Sequence, residues 1–423
     1  MDIRSDVRYE DESGQNYHLW AVSGADSSRL VVLLASVLKP VDDPRMRGKF
    51  AETLVERPNV SVHIAGRRTG ADAVPVRRPV ERAPRPCLHG IFWGSRLGLG
   101  RLAAQGRYWQ LLRRLQPDVV VVHAPELLPL TLLWQRLGRQ RRFVYDIREN
   151  YALNVLTQGV YQGVVRRGLA AGLRWVEARA ARRAAAVILA ETSYADELPF
   201  LRELPVGRVA VLENKYQPAP GERLPDAPGP LPATHEPLRL LYSGTISELN
   251  GVREAVHLAE ALNKSRPGGA VLTVIGFCQQ PALLAVLEQW ARASPVLRLV
   301  GGARPVLHAA IVAEISRSHL GLALYRPHPS TARCRPTKLF EYLAHGLPVL
   351  IPPNPGWEAL VLKHDAGLVL APANPAAAAA ALLTELSART LRAQPAFYRH
   401  GLPADVRWAA EGKKLWHLLD TLI

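Results

Sequence analysis

Residues 238–276 read LRLLYSGTISELNGVREAVHLAEALNKSRPGGAVLTVIG, and this stretch decides the fold. Leu238–Gly244 is a short apolar run ending in glycine, Glu248–Lys264 carries apolar residues at helical spacing, and Ala270–Gly276 is a second run of valine, leucine and isoleucine. Two such runs joined by an amphipathic helix predict a strand–helix–strand unit. Strands that lack polar alternation belong to a parallel sheet covered on both faces. The series continues with a helix to Arg292, VLRLVGG at Val296–Gly302, a helix near Pro305–Ser316, the strand HLGLALY and then RPTKLFEYLAHGLPVL at Arg335–Leu350.

Upstream, Tyr216–Pro237 is dense in proline and glycine and poor in apolar residues, which predicts a linker over 216–237. Before it lies a second alternating series. Strands are expected at Arg29–Val37 (RLVVLLASV), Asn59–Gly66, Leu88–Phe92, up to His123, and at Arg141–Asp146, Ala184–Ala190 and Arg208–Leu212, with helical patterns between them. Pro44 is expected to open a helix after the first strand, and a long amphipathic helix spans Leu97–Leu115. The irregular connection expected over residues 66–87 is rich in arginine and proline. The reading is α/β: a first domain over 29–215 and a second domain over 238–395, both Rossmann-like and doubly wound. A loose tail is expected over 1–28, and a final segment over 396–423 whose helix crosses back to the first domain.

Within RPTKLFEYLAHGLPVL, Pro336 suits the first helical position, Leu339, Phe340, Leu343 and Ala344 recur at helical spacing, and Gly346 and Pro348 stop the helix. Lys338 and Glu341 stand three apart, so both project from one face near the amino-terminal end. Free amides at that end attract anions, and a lysine beside them deepens the attraction. A carboxylate one turn later can accept hydrogen bonds from a vicinal diol, so phosphate plus ribose is the ligand suggested. The alternative is an ordinary ion pair on a solvated helix face.

This stretch resembles the donor site of family-4 type retaining glycosyltransferases of GT-B fold, in particular a bacterial subgroup sharing PTKLFEY. The resemblance implies two Rossmann-like domains facing a cleft, Lys338 on the diphosphate of a nucleotide sugar, and Glu341 on its ribose. It further implies that donor contacts come from Ser243, Gly244, Thr245, Gly276, Phe277, Gly301, Tyr325, Arg326, Arg335 and Thr337, at the strand ends and the helix start. His123 is a third residue assigned to the catalytic centre. Acceptor contacts are expected from Lys39, Asp43, Arg45, Glu126, Asp146, Glu149 and Asn150, which follow strands of the first domain. The segments KPVDDPR, VYDIRENY and ENK at Glu213–Lys215 are similar to that group. Two positions depart from it: Asn250 stands where a basic residue is usual before a glycine, and Arg333 where a glutamate is usual eight places before Glu341.

The chain of 423 residues has 48% apolar content, enough for two buried cores, and a formal net charge of +16. A basic surface favours nucleic acid, anionic lipid or phosphorylated substrates, and equally arises from an arginine-rich genome. No helix-turn-helix, finger or aromatic stacking motif supports nucleic acid as partner. Cys87, Cys278 and Cys334 form neither a metal-ligand spacing nor a disulfide framework, and no Walker loop, dinucleotide fingerprint or nucleophile elbow occurs. The expected function is transfer of a sugar from a nucleotide sugar to a hydroxyl of a glycan or lipid-linked glycan, as a hexosyltransferase with no metal and no separate cofactor. A cytoplasmic protein is expected, with the basic helix Leu97–Leu115 as contact to an anionic membrane surface. Two alternatives stand beside this reading: a basic polysaccharide-binding protein that keeps the fold without transfer, and a nucleotide-sugar epimerase of the same shape.

Overall fold

The computed structural model describes residues 7–10, 16–19, 29–68, 85–93, 100–157, 163–329, 331–392 and 395–422. Strands β1 (Val7–Glu10) and β2 (Asn16–Leu19) pair antiparallel, with Val7 opposite Leu19. Both lie in the segment 1–28 that was expected to be a loose tail, the rest of which falls outside the described residues. VRYE and NYHL each alternate with period two, over runs too short for a periodicity reading to register.

Seven parallel strands form the first sheet: β3 (Leu30–Pro40), β4 (Val60–Arg67), β5 (Cys87–Phe92), β6 (Val119–Val122), β7 (Arg142–Ile147), β8 (Ala186–Leu189) and β9 (Val209–Val211). Their order is β5-β4-β3-β6-β7-β8-β9. The β-branched run Val119–Val122 at the centre is buried throughout, as a strand covered on both faces must be. Six parallel strands form the second sheet: β10 (Leu238–Ile246), β11 (Ala270–Cys278), β12 (Leu297–Gly302), β13 (Leu320–Leu322), β14 (Val349–Ile351) and β15 (Gly367–Val369). Their order is β12-β11-β10-β13-β14-β15. In both sheets the order reverses beside the first strand, between β3 and β6 and between β10 and β13. Such a reversal opens a crevice at the carboxyl ends of the strands.

Local differences from the sequence reading have physical reasons. HLGLALY pairs in the sheet only over Leu320–Leu322, although the chain stays buried to Leu324. The helix expected from Glu248 begins at Val252, because Gly251 first takes φ +81°, and a Cβ there would lie 1.8 Å from the Leu324 carbonyl oxygen. Pro44 precedes a helical turn at Met46–Ala51 in which the Phe50 amide donates to the Arg45 carbonyl at 3.0 Å, a π-type span. Pro336 caps the helix Thr337–Ala344 from the position before its first residue.

The final helix, Trp408–Asp420, buries Trp408, Leu415, Leu418 and Leu419 in one core with Met46, Phe50 and Val144 of the first domain. Trp408 Nε1 donates to Thr53 Oγ1 at 2.9 Å. Just before that helix the chain runs beside the linker: the Tyr216 amide donates to Val406 O at 3.0 Å, and the Trp408 amide to Tyr216 O at 2.7 Å. Two strands of chain therefore join the domains.

Candidate functional site

The helix Thr337–Ala344 has no side chain capping its amino end, and Leu339, Phe340, Tyr342, Leu343 and Ala344 fix it against the second sheet. Lys338, one residue in, is buried, and its Nζ has no hydrogen-bond partner. The ammonium lies 4.2 Å from the ring centre of Tyr242 and 5.2 Å from that of Tyr325, two faces that partly offset its loss of water. Burial lowers its pKa from 10.5 to about 7, against the opposing pull of Glu341. One turn on, Glu341 Oε1 meets His308 Nε2 at 2.5 Å, and this contact raises the pKa of His308.

The strand ends facing this helix are glycine-lined for steric reasons. Gly276 has φ +152°, and a Cβ on it would fall 1.7 Å from the Gly244 carbonyl oxygen. Gly244 and Gly301 also have positive φ, at +92° and +85°. Thr245 is exposed beside them, and its carbonyl accepts from Asn250 Nδ2 at 3.1 Å and from Tyr242 Oη at 2.9 Å. Phe277 is half-buried on β11, and Thr337 is exposed at the helix start. Gly244, Thr245, Gly276, Phe277, Gly301, Thr337, Lys338 and Glu341 thus gather at the carboxyl ends of the second sheet.

Four of the residues nominated for the donor side are engaged within the protein. Ser243 presents no free hydroxyl to the cleft, since its Oγ lies 2.8 Å from the buried Tyr342 Oη. Tyr325 packs edge-on to Trp357, with centroids 5.3 Å apart, and acts as a floor under Lys338. Arg326 is engaged by Glu254 at 2.6 Å and Glu248 at 3.7 Å. Arg335 points across the cleft: its Nη1 donates to Glu213 Oε1 at 2.8 Å, and its amide donates to Glu191 Oε2 at 3.0 Å. Arg333 likewise reaches Asp196 of the first domain at 2.6 Å. The arginine in the place of the family's usual glutamate therefore forms an exposed cross-domain pair, of a kind worth about 0–1 kcal/mol.

On the facing domain, Arg45 is buried and donates two hydrogen bonds to Asp146, at 2.8 and 2.6 Å, and further ones to Leu212 O and Asn214 Oδ1. His123 Nδ1 lies 2.7 Å from the same carboxylate, while its buried Nε2 has no partner. Burial alone would raise the Asp146 pKa, but Arg45 and His123 together hold it below the ordinary carboxylate range. Burial, the largest effect on His123, lowers its pKa although Asp146 opposes it. Arg148 forms a bidentate pair with Asp43 at 2.9 and 3.0 Å. Lys39 pairs with Glu149 at 3.0 Å, and Asn150 bridges Glu197 and Arg174. Glu126 stands apart from this network, 3.6 Å from Arg101. Between the domains a cavity of about 210 Å³ is lined by Glu149, Asn154, Tyr194, Glu197, Arg333 and Cys334, among others.

Sequence reasoning missed Glu191, Lys49 and His308. Glu191 is buried two residues after β8, and burial with neighbouring Glu213 lifts its pKa to about 8. The strand-end rule that singled out Asp146 would have found it. No local signal marks Lys49, which packs over the ring of Trp408, or His308, which reaches Glu341 through tertiary packing.

Residues 46–215 match the family model described as a glycosyl transferase 4-like domain. No curated protein sequence matches the chain. Among solved structures, sucrose-phosphate synthase from Thermosynechococcus elongatus is 16% identical with a TM-score of 0.61, over 93% of this chain and 99% of that one. The catalytic domain of starch synthase IV from Arabidopsis thaliana, bound to ADP and acarbose, is 14% identical with a TM-score of 0.63, over 93% and 99%. Anabaena Alr3699/HepE in complex with UDP-glucose is 14% identical with a TM-score of 0.59, over 92% and 99%. The fold shared with these structures is GT-B.

Proposed function

We propose that this protein is a glycosyltransferase that moves a sugar from a nucleotide sugar to a hydroxyl of a glycan or lipid-linked glycan, with retention of configuration. The observation that carries the reading is the unpartnered, buried ammonium of Lys338 at the uncapped start of a helix, with Glu341 one turn behind it and glycine-lined strand ends opposite. A buried charge without a partner is costly, and an anionic ligand removes the cost. The starch synthase relative is bound to ADP and Alr3699/HepE to UDP-glucose, which supports a nucleoside diphosphate as that anion.

In the proposed reaction the bond between anomeric carbon and phosphate oxygen breaks as the acceptor oxygen bonds to that carbon. The acceptor proton passes to a donor phosphate oxygen, so the chain need not supply a general base. What it must supply is positive charge where the leaving diphosphate gains negative charge, and Lys338 with the helix amides does this without a metal. Glu341 accepts hydrogen bonds from the ribose, and His123 Nε2 is free to donate to or accept from the transferred sugar. The cavity lined by Glu149, Tyr194 and Arg333 is the proposed place for the sugar and the acceptor.

No described helix is long and apolar enough to cross a membrane. The helix Gly100–Leu115, read as a membrane contact, buries Tyr108, Leu111 and Leu112 against the first sheet. A better candidate for an anionic bilayer is the outer face formed by the helices Leu128–Arg136 and Gly163–Ala181. There Val164, Val165 and Trp175 are exposed, and a groove of about 470 Å³ is bordered by Arg136, Arg179 and Arg183. Such a surface suits a lipid-linked acceptor. A panel of nucleotide sugars assayed for release of nucleoside diphosphate, with and without glycan acceptors, tests the main reading. Release that needs an acceptor supports transfer, whereas epimerised sugar or no turnover at all points to one of the alternatives.

A further inference from the structure

Glu341 is held by a partner from another helix. Its Oε1 lies 2.5 Å from Nε2 of His308, 33 places earlier in the chain, and its side chain is 14% exposed against 48% for the histidine. His308 opens the helix His308–Arg317, and the turn that delivers it is tightly fixed. Gly301 near the end of β12 has φ +85°, a Cβ on it would fall 2.4 Å from Val306 Cγ1, and the Ala310 amide donates to Leu307 O at 2.9 Å.

The imidazole is also braced by the linker. The Tyr216 ring lies 6.1 Å from that of His308 and 5.0 Å from that of His345, the residue that ends the helix carrying Lys338 and Glu341. Tyr216 is itself anchored three times: its Oη donates to Glu222 Oε1 at 2.5 Å, its amide donates to Val406 O, and its carbonyl accepts from the Trp408 amide. His345 Nε2 lies 3.2 Å from the same Glu222 oxygen. The histidine that meets Glu341 is therefore backed by the place where both chain crossings touch.

A glutamate on a helix loses rotamer freedom when a ligand fixes it, and that loss is subtracted from affinity. A donor already at hydrogen-bonding distance removes part of the loss beforehand. Two carboxylate oxygens offer about four acceptor positions, so the one taken by His308 leaves enough for both hydroxyls of a ribose. The pairing with Glu341 also raises the pKa of His308, which favours the protonated, donating ring.

We propose that His308 is a positioning residue: it holds the Glu341 carboxylate for the vicinal diol of the nucleotide and so sets the preference for ribose over a deoxygenated sugar. This rests on the nucleotide-sugar reading above. An ordinary surface ion pair would leave that preference untouched. Direct contact of His308 with the base would weaken ribose and deoxy forms alike.

Calorimetric titration at one pH of wild type, His308→Ala, His308→Gln and Glu341→Gln with UDP, ADP and their 2′,3′-dideoxy forms is the test. For whichever diphosphate the wild type binds, the ribose form should bind about 10–100-fold tighter than the dideoxy form, as expected for hydrogen bonds to a charged group. Glu341→Gln should bring that ratio to about threefold or less. His308→Ala should cut the ratio by about 3–10-fold, the effect expected of freeing one rotamer-rich side chain. Its dideoxy affinity should stay near that of wild type, which also reports that the variant is folded. His308→Gln, which keeps an N–H donor, should recover most of the ratio. A His308→Ala ratio within about twofold of wild type, with that of Glu341→Gln collapsed, overturns the role of His308 and leaves the function intact. Equal weakening of ribose and dideoxy forms in His308→Ala overturns it as well. A wild type with no ribose preference, or a Glu341→Gln that keeps it, overturns the roles of both residues. Failure of the wild type to bind any nucleoside diphosphate overturns the function, and this proposal with it.

Discussion

Replacing Lys338 by methionine should make the unliganded protein more stable and the liganded protein weaker. Unfolded, the lysine titrates near 10.5, whereas in the fold burial brings it to about 7. The folded state therefore holds fewer protons than the unfolded state between these values, and stability rises with pH across that window. Below about pH 7 the full cost of the buried ammonium is present. At about 1.4 kcal/mol per pH unit the gap amounts to roughly 4 kcal/mol at pH 7. The Tyr242 and Tyr325 faces return about 0.5–2 kcal/mol of cation–π attraction, which methionine replaces only in part through sulfur–aromatic contact. The expected net gain for Lys338→Met is about 2–3 kcal/mol at neutral pH, or roughly 5–10 °C in the melting temperature of a domain this size. Thermal melts at intervals from pH 8 to pH 10, above the window in which the raised Glu191 acts with the opposite sign, should show a wild-type slope that falls by about half in the variant, because Lys49 contributes with the same sign. The same melts with nucleoside diphosphate should show a smaller ligand-induced shift in the variant, in line with a roughly 10–100-fold weaker complex. A variant that melts below wild type at pH 7, or keeps the full slope, refutes the claim that the fold carries Lys338 at a cost.

Gly276→Ala should destabilise the second domain by about 2–4 kcal/mol, since a Cβ placed 1.7 Å from the Gly244 oxygen must push the ends of β10 and β11 apart. Urea unfolding checks this, and a midpoint equal to that of wild type would contradict it. Vesicle flotation should show binding to phosphatidylglycerol vesicles and none to phosphatidylcholine, with loss of binding in a Trp175→Ser, Arg179→Gln variant. Equal flotation of variant and wild type rules out the face built by Gly163–Ala181.

The architecture was legible because parallel strands buried on both faces are written as uninterrupted apolar runs. Val119–Val122, Ala186–Leu189 and Leu238–Tyr242 leave no other reading. Of the residues nominated for the cleft, Lys338 and Glu341 were legible from their spacing on one short helix, and Asp146 from its place at a strand end. Side-chain direction was not legible. Arg335 and Arg326 were nominated alongside the strand-end residues, yet each is paired with a carboxylate that comes from distant sequence, Glu213 for the one and Glu254 for the other.

The last helix has a bearing on how this chain is made. Trp408 and Leu415 complete a core that Met46 and Phe50 begin, so synthesis has to pass through the whole second domain before the first can close. During that interval the apolar slot left for Trp408 is open to water and to other chains. The amino-terminal half is thus the part expected to lean on chaperones while the ribosome is still at work.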